Sequence, residues 1–197
     1  MSAEQIERRS LVRALLDGRG SALVVSGLGS STWDVAAAGD HSTNFYVWGA
    51  MGSAAMVGLG LAHAQCDRRV IVVTGDGEML MGLGALATIA TARPKNLAIL
   101  VLDNELYGET GNQATHTSGN VDLVKIAEGA GFVSTTTATT TDEGRALCDL
   151  IRDGEGPVFA VAKVKPDRPD AVIPPRDGTY LKLRFRAAVL GQANAEP

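Results

Sequence analysis

The sequence predicts an α/β fold: a three-layer arrangement of a parallel sheet with helices on both faces. Three observations point to it. Apolar runs without a polar break, such as Val70-Ile71-Val72-Val73 and residues 97–102, have the form of parallel strands covered on both sides. Segments of helical character lie between such runs, an alternation that builds a parallel sheet through right-handed crossovers. Hydrophobic residues make up 45% of the 197 positions and aromatics only 5%, with 23 glycines, so the core is one of small aliphatics that allow close approach. The length fits one domain over residues 1–197, with a core at about 20–165 and a tail at 166–197.

Residues 3–17 set Ile6, Val12, Leu15 and Leu16 among charges, as a surface helix does, and Gly18-Arg19-Gly20 stops it. Residues 22–26 form a short buried strand closed by Gly27-Leu28-Gly29. Residues 30–48 are polar and irregular and are expected to be a loop returning to the sheet edge. Residues 49–64 are a helix of small residues, where several glycines imply close approach of another backbone or a ligand. A strand at 69–74 ends in Gly75-Asp76-Gly77, and a single helix is expected over 78–92, broken by Pro94. The strand at 97–102 precedes a polar stretch to residue 120 and a helix at 121–130. Residues 132–137 suit an edge strand. Thr140 and Glu143 have capping-box spacing for a helix ending near Asp153. A last strand at 157–165, a proline-rich tail and an amphipathic helix at 179–190 complete the chain.

The net charge of -4 and the lack of a dense basic run give no reason to expect a nucleic-acid partner. Cys66 and Cys148 are far apart and form no metal-ligand spacing. No apolar run reaches membrane-spanning length, and the charged N-terminus has no signal core, so a cytoplasmic location is expected.

Gly75-Asp76-Gly77 and Asp103-Asn104 both follow buried runs, so both should reach one rim of the sheet, where ligands of such folds sit. Asp and Asn offer hard oxygen ligands suited to Mg²⁺ or Ca²⁺. Gly75 and Gly77 let the backbone pass close to an anion, and a helix opening near Glu78 would aim its amides there as a diphosphate cradle. Standing alone, the triplet is as readily a turn.

Gly75-Asp76-Gly77 followed by Asp103-Asn104-Glu105-Leu106-Tyr107-Gly108 resembles the binding motif of thiamine diphosphate (ThDP) enzymes. In that family the triplet precedes an Asn-Asn pair; Asp103 departs from the first Asn and Asn104 keeps the second. The resemblance implies that Asp76 and Asn104 supply side-chain ligands to Mg²⁺ and Leu106 its main-chain carbonyl. Glu78, Tyr107 and Gly108 would flank the diphosphate. Trp48-Gly49-Ala50-Met51-Gly52 is similar to the family's stretch beneath the cofactor. There the carbonyl of Gly49 would accept from the aminopyrimidine and Met51 would hold the two rings bent, with Ala50 counted as cofactor-binding between these two residues in the sequence. Met51 also suits a plain core position.

ThDP chemistry further needs a carboxylate at the pyrimidine, which the family draws from a Glu on a separate pyrimidine-binding domain. The pattern here leaves room for one domain. The resemblance therefore implies an α subunit carrying that domain and its Glu, in a hetero-oligomer of αβ pairs. Residues 45–52 and 102–113 look most like the phosphonopyruvate and sulfopyruvate decarboxylases, with departures at Trp48 and Ala50. The implied reaction is decarboxylation of a small anionic 2-oxo acid, sulfopyruvate to sulfoacetaldehyde before others, with the thiazolium as electron sink. A phosphonopyruvate decarboxylase, an acetolactate-synthase-like carboligase subunit and a non-catalytic ThDP-holding subunit are the alternatives. Two isolated cysteines argue against a cluster-bearing oxidoreductase chain. Gly27-Leu28-Gly29 argues against a dinucleotide-binding domain, because it has no third glycine and no helix is expected after it.

The substrate's second anionic group asks for a cation or amides. Arg176 is a candidate, although a tail arginine more readily serves as a solvated surface residue. His116 and His41 are candidates for proton transfer, with exposed loop histidines as the competing reading, and His63 is expected to be structural. Glu105, Thr110, Asn112 and Gln113 lie just past the metal loop and could line the site.

Overall fold

The computed structural model describes residues 4–194. Helix α1 (Arg8–Asp17) precedes strand β1 (Leu23–Ser26), helix α2 (Ser30–Ala37) and strand β2 (Asn44–Tyr46). Helix α3 (Ala54–Ala64) and strand β3 (Val70–Gly75) lead into two helices, α4 (Asp76–Met81) and α5 (Gly84–Ala92). Strand β4 (Leu97–Asp103) is followed by a small antiparallel hairpin, β5 (Leu106–Tyr107) against β6 (Gln113–Ala114). Helix α6 (Leu123–Ala130), strand β7 (Ser134–Ala138), helix α7 (Thr141–Asp153), strand β8 (Val158–Lys163) and helix α8 (Gly178–Leu190) complete the order.

Six strands form one sheet in the order β2-β1-β3-β4-β8-β7, and every neighbouring pair is parallel. The two central strands show why their sequences carry no polar break. In β3, Val70 and Val72 face one core while Ile71 and Val73 face the other. In β4, Leu97, Ile99 and Val101 face the first, and Ala98, Leu100 and Leu102 the second. Helices α3, α5 and α6 cover one face; α1, α2 and α7 cover the other. Thr140 caps α7 through the expected capping box with Glu143. Among the described residues no helix is long and apolar enough to cross a membrane.

Several expectations need correction. Residues 30–48 are not a loop: they hold α2 and the edge strand β2. A helix therefore does follow Gly27-Leu28-Gly29. Its polar positions are internal, since Asp34 is 0% exposed and Thr32 1% exposed. Arg8 Nε lies 2.9 Å from Asp34 Oδ2, and Arg9 Nε donates to Asp34 Oδ1 at 3.1 Å, so a buried ion pair ties α1 to α2. The helix expected from residue 49 begins at Ala54, after a turn. The helix expected over 78–92 starts at Asp76 and breaks at Gly82. A Cβ on Gly82 would sit 2.2 Å from the Gly52 carbonyl oxygen, and a Cβ on Gly52 3.0 Å from Gly82 N. The break is the place where the 49–53 turn rests on the end of α4.

Helix α3 reaches β3 through Gly58, where a Cβ would lie 2.3 Å from Val72 Cγ2. Gly58→Ala should gain up to about 1 kcal/mol of helix propensity. Overpacking costs about 1–3 kcal/mol, so the clash should win. Urea unfolding is expected to show a net loss that Val72→Ala, by opening the space, partly offsets. A strictly additive double variant would contradict the contact.

Candidate functional site

From β1 the chain turns outward to β2, and from β3 it turns the other way to β4. The carboxyl ends of β1 and β3 are therefore a switch point, where adjoining loops diverge and a cleft opens. The cleft here is walled by Leu28, Gly29 and Ser30 after β1 and by Gly75, Asp76, Gly77, Glu78 and Met81 after β3. Asn104, Leu106, Tyr107, Gly108 and Glu109 after β4 form a third wall, and Met51 closes a fourth side. Four segments far apart in sequence thus meet on one rim.

Close backbone contacts bring them together. The Gly52–Gly82 approach seats the Met51 turn against α4. A Cβ on Gly77 would strike the Tyr107 ring at 2.6 Å, so the triplet packs directly on the hairpin. Glu78 is 5% exposed and accepts from Thr74 Oγ1 at 2.8 Å. A Cβ on Gly27 would fall 1.5 Å from Glu78 Oε2. Burial raises the Glu78 pKa, against the pull of Thr74 and of the amides of Gly52, Ala54 and Leu28. Its carboxylate is therefore packed between the loop after β1, the 49–53 turn and the triplet.

Asp76 is 2% exposed, and its Oδ2 accepts from Thr115 Oγ1 at 2.6 Å. Thr117 Oγ1 lies 2.8 Å from Asp103 Oδ1 and 2.9 Å from Thr115 Oγ1. Burial pushes the Asp76 carboxyl upward; the Thr115 bond opposes this and the Asp103 charge adds to it. A divalent cation at Asp76 would supply the opposite charge that such a site favours. Asn104 Oδ1 accepts from the Leu106 amide at 3.1 Å, an Asx turn that leaves its second lone pair for a ligand. Among the described residues no group of three His, Cys, Asp or Glu could hold a metal. The donors at this rim are instead one carboxylate, one amide oxygen and main-chain carbonyls, the hard oxygens that Mg²⁺ takes together with phosphate oxygens and water. These residues fit a metal–diphosphate group.

Asp103 pairs in register with Lys163 on β8, whose Nζ is 2.8 Å from Asp103 Oδ2 and 2.7 Å from Glu105 Oε1. Partial burial works against the Lys163 charge, but Asp103 and Glu105 outweigh it and raise its pKa.

The structure gathers Met51, Gly75, Asp76, Gly77, Glu78, Asn104, Leu106, Tyr107 and Gly108 around the cleft. Gly49 and Ala50 lie on the adjoining exposed turn and are not among its walls. Gly49 has φ +81, and a Cβ there would meet nothing within 4 Å. His116 is exposed in a short 3-10 turn outside the cleft. His41 is exposed too, with Nδ1 2.9 Å from Thr43 Oγ1, and does not line the cleft. Arg176 stacks over Trp48 at 5.6 Å, where the tail is fastened by Trp48 Nε1 donating to the Pro175 carbonyl at 3.0 Å. Of the residues past the metal loop, Glu105 meets Lys163, while Thr110 and Gln113 bond each other. Thr110 also touches the cleft, and Asn112 accepts from Arg168. The α4 helix has only six residues, so its macrodipole is weaker than that of one helix running to Ala92.

Sequence reasoning missed Thr115, Thr117 and Lys163. No local signal marked them: Thr115 and Thr117 come together at the start of a 3-10 turn, and Lys163 lies on another strand.

The model of the thiamine pyrophosphate enzyme C-terminal TPP binding domain matches residues 27–162. The chain is 35% identical over 187 residues to the sulfopyruvate decarboxylase subunit beta of Methanocaldococcus jannaschii, covering 93% of this chain and 97% of that protein. It is 38% identical over 181 residues to the phosphonopyruvate decarboxylase of Streptomyces viridochromogenes, covering 91% of this chain and 45% of that protein. In fold it is similar to a thiamine diphosphate-dependent 4-hydroxybenzoylformate decarboxylase of Rhodococcus jostii, with TM-score 0.69 and 20% identity, covering 85% of this chain and 34% of that one.

Proposed function

Because the chain belongs to the thiamine pyrophosphate enzymes, we propose that it is the β subunit of a two-chain, Mg²⁺-dependent 2-oxo acid decarboxylase that converts sulfopyruvate to sulfoacetaldehyde and CO₂. The observation that carries this reading is the meeting of the Met51 turn, the Gly75-Asp76-Gly77 triplet and the Asn104 loop on one cleft at the switch point. Asp76, Asn104 and the Leu106 carbonyl would hold Mg²⁺, and the glycine backbone of the triplet would lie along the diphosphate. The Gly49 carbonyl, on the turn that leads into Met51, would accept from the aminopyrimidine, and Met51 gives the cleft an apolar wall. Bound there, ThDP supplies the electron sink that lets CO₂ leave a 2-oxo acid.

The activating Glu is assigned to an α subunit whose pyrimidine-binding domain would complete the site. Two matches support this. The relative named subunit beta is covered over 97% of its length, and the longer phosphonopyruvate decarboxylase over 45%. The chain accounts for about half of what that longer protein carries in one polypeptide.

The test is to purify the chain with its partner and measure CO₂ release from sulfopyruvate, phosphonopyruvate and pyruvate, with ThDP and Mg²⁺. The pair should turn over sulfopyruvate fastest, and the chain alone should release nothing. Turnover by a verified single chain would overturn the two-chain assignment. A preference for phosphonopyruvate would move the substrate, and silence on all three would end the decarboxylase reading.

A further inference from the structure

We infer that Lys163 is the built-in counter-ion that holds the metal loop in its binding shape, a positioning residue made necessary by Asp103; its link to the cofactor rests on the ThDP reading above. Asp103 ends β4 and is directly opposite Lys163 on β8. The Lys163 ammonium contacts Asp103 Oδ2 at 2.8 Å, Glu105 Oε1 at 2.7 Å and the Thr117 carbonyl at 3.4 Å. These contacts grip both arms of the segment that presents Asn104 and Leu106.

The need for a cation follows from what Asp103 touches. It is 2% exposed, so its charge is costly without a partner. Its Oδ1 accepts from the Glu105 amide at 3.1 Å, which fixes the turn around Asn104. Thr117 Oγ1 lies between Asp103 Oδ1, at 2.8 Å, and Asp76 Oδ2, at 3.2 Å. One hydroxyl has one proton, so the donors divide: Thr117 serves Asp103 and Thr115 serves Asp76. Two buried carboxylates thus share one small polar network, and Lys163 is the cation in contact with it. Glu105 adds a second demand. It sits at φ +63, a left-handed conformation that is unfavourable for a non-glycine residue, and its carboxylate is held by the same ammonium. Removing Lys163 should free Asp103 to turn toward solvent and release the Glu105 turn with it. An asparagine at 103 could accept the same amide bond without a charge to neutralise. Lys163 should then become dispensable.

Four chains test this: wild type, Lys163→Met, Asp103→Asn and the double variant. Two readouts are compared. The first is amide hydrogen exchange across residues 103–118 in the chain without cofactor. The second is the Mg²⁺ concentration that half-saturates ThDP-dependent tryptophan quenching in the two-chain complex. Supporting partners of metal ligands typically contribute about 10–100-fold to affinity, so Lys163→Met should raise the Mg²⁺ requirement at least about tenfold and speed loop exchange similarly. The double variant should return both to within about threefold of wild type, the signature of a charge pair rather than of bulk packing. Loop exchange at the wild-type rate in Lys163→Met, or a double variant no better than the single, would overturn the inference. If the single variant does not fold, the double decides: a folded chain with a protected loop supports the pair, and an unfolded one overturns it. If wild type shows no ThDP-dependent signal, the cofactor reading falls while the exchange comparison still decides the role of Lys163.

Discussion

Asp76→Ala is expected to abolish Mg²⁺-dependent ThDP binding, and Asp76→Asn to weaken it severely while keeping the shape of the site. Asp76 is the buried carboxylate at the centre of the rim, oriented by Thr115, with Thr117 Oγ1 3.2 Å away. Residues that only support a metal ligand are worth about 10–100-fold in affinity, so loss of a ligating carboxylate should exceed about a hundredfold. Titrating ThDP against each variant at several Mg²⁺ concentrations measures it. Asparagine keeps an oxygen for the ion but loses the charge, so its deficit should narrow at high Mg²⁺, whereas the alanine deficit should persist. Unchanged affinity in Asp76→Ala would remove Asp76 from the ligand set.

The largest loss of stability is expected far from the cleft, at Asp34→Ala. Asp34 is 0% exposed and Arg8 3% exposed, and Asp167 is more distant, at 3.7 Å from Arg8. Breaking a buried pair strands the remaining charge and typically costs about 3–5 kcal/mol. Replacing both partners, as in Arg8→Met with Asp34→Leu, should cost far less, because no charge is then left without water. Urea unfolding of the two variants separates the possibilities. A loss below about 1 kcal/mol in Asp34→Ala would mean that Asp167 alone suffices to neutralise Arg8.

Most of the fold was legible because its central strands announce themselves. Val70-Ile71-Val72-Val73 and residues 97–102 are apolar at every position, and the structure places alternate residues in two cores. The stretch at 30–48 was not legible, for a specific reason. Asp34 and Thr32 look like loop residues, yet they are buried because Arg8, Arg9 and Ser26 satisfy them, and two of those partners are on another helix. Nor could the break at Gly82 be read locally. Glycine is tolerated inside a helix, and what decides here is the carbonyl of Gly52, a residue remote in sequence. At the candidate site, Asp76 and Asn104 were visible from their places just beyond buried strands. The residues that orient them were not, since Lys163 meets Asp103 only through the pairing of β4 with β8.

Helix α8 lies along β2 at the margin of the sheet. Phe185 packs edge-to-face on Phe45 at 5.4 Å, and Arg184 donates to the Asn44 carbonyl at 3.2 Å. An uncovered rim strand would offer its main chain to any passing segment in the cell. Here a side chain already occupies the Asn44 oxygen, and an aromatic stack lies against the strand. A second chain pairing its edge onto β2 would have to displace both.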